Sequence, residues 1–334
     1  MDSITQIALG AAVAEATIGR KVGRKALLWG AIAGTLPDLD VFVPLGDAVK
    51  NFTYHRSASH SIFILALITP LIVWLINKTH PQYREHSTRW AITIYLVFFT
   101  HVMLDSFTTF GTQIFWPIDN TPVAFSSIFI IDPLYTLPLL IGIIAALVLS
   151  REANRGHLIN RYGLIISTLY LGWGLMAKNI ASVQIKDALQ QQKIAHHQVF
   201  ITAAPLNTLL WRTIVMSDDG YYQGFYSLLD EDNKIDFQFY PSDESLLNGI
   251  EDTWTVQRLK WFSRGIYSIN VNNHDVMFTD LRMGMEPSYT FRFKVAELGN
   301  PHIQSVIPEH KPSQRSGDII IRTWERIWDK TINP

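Results

Sequence analysis

Three stretches gather the residue types that bind metals. TLPDLD carries Asp38 and Asp40 directly after Pro37, FTYHRSASHS carries His55 and His60 around Arg56, and THVMLDSFTTFGTQIFWP carries His101 and Asp105. His101 and Asp105 are four residues apart, so on a helix they share a face and can converge on one cation. Glu15 stands alone in an apolar segment and is a fourth candidate. Imidazole and carboxylate donors suit zinc, manganese or iron, and carboxylates also suit magnesium. The chain has no cysteine, which excludes disulfides and thiolate sites and leaves nitrogen and oxygen ligands. A divalent metal held this way can acidify a bound water into a nucleophile.

Each feature also has a plainer reading. Asp38 and Asp40 can form a solvated turn after the proline. His55 and His60 can be interfacial residues; five apart, they do not share a helix face, and Ser57 or Ser59 is the expected cap of a helix beginning near His60. His101 and Asp105 can pair only with each other, and Glu15 can hydrogen-bond a neighbouring helix. Arg56 can hold a phosphate through two hydrogen bonds or anchor the chain at headgroup level. His80, His86, His157, His196 and His197 read as solvated.

The elements that must position these residues are membrane helices. Apolar segments lie near 3–19, 26–36, 61–77, 90–109, 133–150 and 162–181, the second too short to span alone. The expected fold is an α-helical integral membrane domain of five to six segments over residues 1–182, followed by a soluble α+β domain over 183–334. Basic loops alternate with acidic or neutral ones. Arg20, Lys21, Arg24 and Lys25 follow the first segment, Lys78, Arg84 and Arg89 the third, and Arg151, Arg155 and Arg161 the fifth. Basic loops stay cytoplasmic, so the three candidate stretches and the carboxy-terminal domain are expected outside. Ionisable groups gathered at one membrane depth mark function.

In the second half, VQIKDALQQQKIAHHQ reads as an amphipathic helix leaving the membrane. TLLWRTIVM, GYYQGFYSLL, KIDFQFYP, GIYSINV and YTFRFKVAE read as strands, and SDESLLNGIEDTWTVQRLKWFS as helical. Trp211, Tyr221, Tyr222, Phe225, Tyr226, Trp254 and Trp261 are expected in its core. The net charge of −1 argues against nucleic-acid binding, and no nucleotide loop, nucleophile elbow or HExxH motif is present.

Taken in order, TLPDLD, HRSASHS and HVMLDSFTTFGTQIFWP resemble the bacterial inner-membrane metal-dependent hydrolase family of the YdjM type, over about residues 1–180. That family shows a P-D-[LI]-D turn, an H-R-x-x-[ST]-H-S stretch and an H-x-x-x-D helix followed by a glycine-containing run ending in Trp-Pro. The resemblance implies Asp38, Asp40, His55, His60, His101 and Asp105 as metal ligands or their supporting groups, with a divalent metal, zinc before manganese or magnesium. Many members carry Thr-His or Gly-His near the amino terminus where this chain has Thr5-Gln6, so a ligand is missing or Glu15 replaces it. A distant similarity to zinc-dependent phospholipase C and single-strand nucleases implies phosphoester chemistry. The expected function is a membrane hydrolase acting on a lipid-linked or envelope substrate, with Asp38 or Asp105 assisting the base and Arg56 steadying the substrate. The alternatives are an envelope protein with a structural or vestigial metal site and a partner-binding outer domain, and a transporter. A transporter should show internal repeats, and none is evident.

Overall fold

Long runs of leucine, isoleucine and valine between charged punctuation make the first half helical. A computed structural model of the chain describes residues 1–149, 154–232, 234–299, 303–313 and 317–334; Arg151 and Glu152 lie outside them. The chain divides into two units, Met1–Val43 with His55–Leu175, and Pro44–Tyr54 with Met176–Pro334.

The first unit contains α1 (Ser3–Val22), α2 (Arg24–Thr35), α4 (Ile62–Thr79), α5 (Ser87–Phe107), α6 (Pro133–Leu149) and the start of α7 (Arg155–Gln192); α3 (Ala48–Tyr54) belongs to the second unit. Asp2 caps α1 by accepting from the Thr5 amide, and Gly23, at φ 63°, lets the chain turn directly into α2. The two helices touch backbone to backbone: a Cβ on Gly10 would stand 2.3 Å from the Gly30 carbonyl oxygen, so any larger residue there would push them apart. Among the buried residues of this core are Ala8, Ala12 and Ile18 of α1, Ala33 of α2 and Trp90, Ile94, Val97 and Phe98 of α5.

Among the described residues, three helical stretches are long and apolar enough to cross a membrane, Ile62–Thr79, Pro81–Phe107 and Arg155–Gln192, with mean hydropathies of 2.0, 1.4 and 1.2 over an 18-residue window of each. The apolar helix Pro133–Leu149 is shorter, at 17 residues. The segments expected near 3–19 and 26–36 are helical but are not among the three. The cap of α4 is Ser61, whose hydroxyl accepts from the amides of Phe63 and Ile64; neither Ser57 nor Ser59 takes that role.

The second unit is rich in antiparallel sheet. One sheet has the order β1 (Gln198–Ala203), β2 (Leu210–Ser217), β3 (Gly220–Ser227), β4 (Gln238–Pro241). Another involves β5 (Tyr267–Asn272), β6 (Asp275–Asp280), β9 (Arg292–Glu297) and β10 (Gln304–His310) in the order β10-β9-β6-β5, and β7 (Gly284–Met285) pairs with β8 (Ser288–Tyr289). Helices α8 (Trp254–Ser263) and α9 (Asp318–Glu325) complete it. The amphipathic helix read through 183–200 stops at Gln192, because β1 starts at Gln198 to pair with β2. Trp211, Tyr221, Phe225 and Tyr226 are buried, whereas Trp254 and Trp261 are exposed on α8.

Candidate metal centre

His101 and Asp105 share the inner face of α5, both buried. The Nδ1 of His101 lies 2.8 Å from the Gly34 carbonyl oxygen at the end of α2. A carbonyl can only accept, so this partner assigns the proton to Nδ1 and leaves a lone pair on Nε2. His60 closes the short turn Ala58–His60, with its Nδ1 2.9 Å from Ser59 Oγ. The Ser59 hydroxyl donates its one proton to Asp40 Oδ2 at 2.5 Å, so it must accept from His60 Nδ1. His60 therefore also turns an unprotonated Nε2 inward.

The two Nε2 atoms face each other at 3.4 Å. Asp105 Oδ2 stands 3.1 Å from His60 Nε2 and 3.6 Å from that of His101; Asp38 Oδ1 stands at 3.4 and 3.7 Å. The donor atoms of Asp38, His60, His101 and Asp105 all lie within 4.8 Å of one another and could hold a metal ion. The Oδ1 of Asp105 accepts from Gln6 Nε2 at 2.9 Å and faces Arg56 Nη2 at 3.3 Å and the Met1 amine, while its buried Oδ2 has no hydrogen-bond partner. Four lone-pair atoms thus converge without a donor among them. Such a set repels itself unless a cation stands between, and the nitrogen and oxygen donors fit a borderline divalent metal. A proton is the alternative cation. Burial opposes charging His60, but the carboxylates of Asp105 and Asp38 outweigh it and raise its pKa above the ordinary histidine value. Burial likewise pushes Asp38 upward, and its contacts with His101 and His60 overcome that and hold it well below the usual carboxylate range.

The other sequence-derived candidates lie elsewhere. Asp40 and His55 stand behind the cluster. Asp40 Oδ1 meets His55 Nδ1 at 2.7 Å, and its Oδ2 accepts from the Arg56 amide at 3.0 Å as well as from Ser59. Burial raises the Asp40 pKa, but the hydrogen bond from His55 and its neighbours bring the balance below the ordinary value. Asp40 therefore holds the loop that carries His60. Arg56, at φ 62°, is buried; its Nη1 reaches Thr108 Oγ1 at 3.4 Å and its Nε has no partner. Glu15 is absent from the cluster. It pairs with His157 at 2.5 Å, which corrects the reading of His157 as solvated: its side chain is 11% exposed.

Sequence reasoning missed three contributors. Gln6 stands out in sequence only as a departure from the Thr-His pattern, and its Nε2 holds Asp105 by Oδ1. Ser59 was weighed only as a helix cap, although its position beside His60 was the available signal. The Gly34 carbonyl carries no side-chain signal at all.

The chain is 24% identical over 314 residues to the uncharacterized protein YfhP of Bacillus subtilis (strain 168), an alignment covering 87% of this chain and 89% of that relative. No solved structure matches the chain. The family model described as YdjM inner membrane protein matches residues 1–181, the part that holds all four clustered donors, and the chain belongs to that family.

Proposed function

We propose that this membrane protein is a metal-dependent hydrolase acting on a phosphoester or related bond of a lipid or envelope substrate. The observation that carries the reading is Arg56, a buried guanidinium with an unpartnered Nε, set 3.3 Å from Asp105, one of the clustered donors. A metal site with a purely structural task has no use for a second cation beside it, whereas an anionic substrate does. Asp38, His60, His101 and Asp105 would hold the metal, zinc before manganese or magnesium. When bound, such a metal supplies Lewis-acid polarisation and lowers the pKa of water. Asp105 is fixed through Oδ1 by Gln6 and Arg56, so its Oδ2 stays aimed inward. Asp38 is the most accessible of the four, its side chain 20% exposed, and can pass a proton to solvent. Asp40 and Ser59 keep His60 in the tautomer that presents Nε2. By the charge rhythm of its loops, the protein sits in a bacterial inner membrane with its carboxy-terminal unit extracytoplasmic.

A structural metal is the second reading, because four protein donors suffice to saturate a tetrahedral zinc. The discriminating experiment is an assay of the protein in nanodiscs against matched lipid-linked and water-soluble phosphoesters, with and without chelator. The hydrolase reading expects chelator-sensitive turnover, a preference for the lipid-linked substrate and a raised KM in Arg56→Ala. Turnover that ignores chelator, or bound metal without turnover of either class, would overturn it.

A further inference from the structure

Along α1, α2 and α6 the first unit carries a feature that the proposed reaction does not use. A groove of about 510 Å³ runs between α1, α2 and α6, with Ile4, Ile7, Ala8 and Ala11 among its lining residues on the α1 side. From α2 come Arg24, Leu27, Leu28 and Ala31, and from α6 Leu140, Ile143 and Leu147. Arg24 is the one charged residue among the lining residues. A smaller recess of about 200 Å³ adjoins it at Ile4 and continues along α6 past Leu137, Thr136 and Pro133. From Pro133 to Leu147 the two cover fifteen residues of helix, about 21 Å at a rise of ~1.5 Å per residue. One leaflet of hydrocarbon is roughly half of ~30 Å, so the furrow is long enough to take an acyl chain.

The furrow has polar ends of opposite sign. Its recess end holds Asp2, and its other end holds Arg24, with Arg20, Lys21 and Lys25 exposed close by in sequence. Arg24 donates from Nη2 to the Leu147 carbonyl at 2.9 Å, which fixes the guanidinium across the mouth between α2 and α6. A basic pocket between membrane helices is suited to an anionic headgroup, and an apolar furrow beneath it to a chain. A zwitterionic headgroup would gain less there, since its own cation would meet the same basic cluster.

We infer that the furrow between α1, α2 and α6 is a binding site for an anionic phospholipid, the acyl chain lying along α6 and the phosphate held by Arg24. None of the four clustered donors lines the furrow, and the proposal does not depend on hydrolase activity. It is tested with the full chain purified in a neutral detergent, by mass spectrometry of retained lipid and by thermal unfolding with added phosphatidylglycerol or phosphatidylcholine. Phosphatidylglycerol is expected to be retained and to raise Tm by several degrees more than phosphatidylcholine. Arg24→Gln, at an exposed position, is expected to abolish that preference, and Ala31→Phe, which fills the furrow, to abolish it as well. Equal effects of the two lipids on the unaltered protein, or a preference surviving in either variant, would overturn the assignment.

Discussion

In the second unit Arg212 is fully buried and every arm of its guanidinium is used. Nε donates to Gln223 Oε1 at 2.9 Å, Nη1 to the Leu281 carbonyl at 2.9 Å and Nη2 to the Tyr289 hydroxyl at 3.0 Å. Asp280 and Arg282, also buried, form a fork with bonds of 2.9 and 2.6 Å. In the first unit the buried polar cluster has the reverse character: two imidazole Nε2 atoms and two carboxylate oxygens converge, and Asp105 Oδ2 has no hydrogen-bond partner among the described residues. The contrast separates two uses of buried polarity. A network in which donors equal acceptors is finished, and its role is to hold strands in place. A cluster of acceptors alone is unfinished, and its chemistry is that of a receptor for a cation.

The sharpest way to break this comparison is to remove a donor atom from the unfinished cluster. His101→Ala and Asp105→Ala are each expected to bring bound metal, measured by elemental analysis of the purified protein, close to background. The double variant should add little, because ligands of one ion act as a unit. Unchanged metal content in His101→Ala would remove that residue from the site. A smaller effect is expected from the supporting residues. Ser59→Ala and Asp40→Ala leave all four donors in place but free the His60 ring to change tautomer, so metal affinity should fall by about 10–100-fold in a competition titration with a chelating dye. A loss as complete as that of His101→Ala would mean that Asp40 is itself a ligand. The least effect on metal is expected from the finished network. Arg212→Leu takes away the donors that Gln223 Oε1, the Leu281 carbonyl and the Tyr289 hydroxyl accept from, and should lower the stability of the second unit by about 1–3 kcal/mol in denaturant. Metal content should not change. Metal lost together with Arg212 would show that the two kinds of burial are not independent.

Much of the unfinished cluster was legible because its chemistry is carried by side chains of distinctive type. Asp38, His60, His101 and Asp105 stand out in apolar surroundings, and the four-residue step from His101 to Asp105 already puts two of them on one face. The sorting of ligands from supports was not legible. His55 and His60 look alike in sequence, and only the Asp40–Ser59 relay and the turn at Ala58–His60 separate the residue turned inward from the one turned to Asp40. Glu15 shows the same limit: an acid in an apolar helix signals a partner, and here the partner is His157 on the first turn of α7, a residue whose basic neighbours made it read as solvated. In the second unit, strands dense in aromatic and β-branched residues were visible, such as β2 and β3. Strand β1 was hidden behind the polar stretch that ends α7, and β6, with DVMFTD, lacks a clear alternation. Their strand state is set by long-range pairing, β1 with β2 and β6 with β5 and β9.

Between Asp40 and His55 the chain leaves the first unit for eleven residues, Pro44–Tyr54, which belong to the second. There Phe52 stacks within 4.4 to 5.1 Å of the ring centroids of Phe262, Phe291 and Phe293, and Arg258 donates to Thr53 at 3.0 Å. The protein therefore cannot be parted with one cut. A fragment ending near Leu175 carries a strip of the second unit with its aromatic face stripped bare, and the complementary fragment lacks the piece that fills its own core. The Asp40–His55 contact closes the base of this excursion, so the residues that steady the loop carrying His60 also serve as its hem. Any attempt to graft, truncate or exchange the second unit among relatives must carry three junctions, near 43/44, 54/55 and 175/176, and must splice two of them within a few residues of the clustered donors Asp38 and His60.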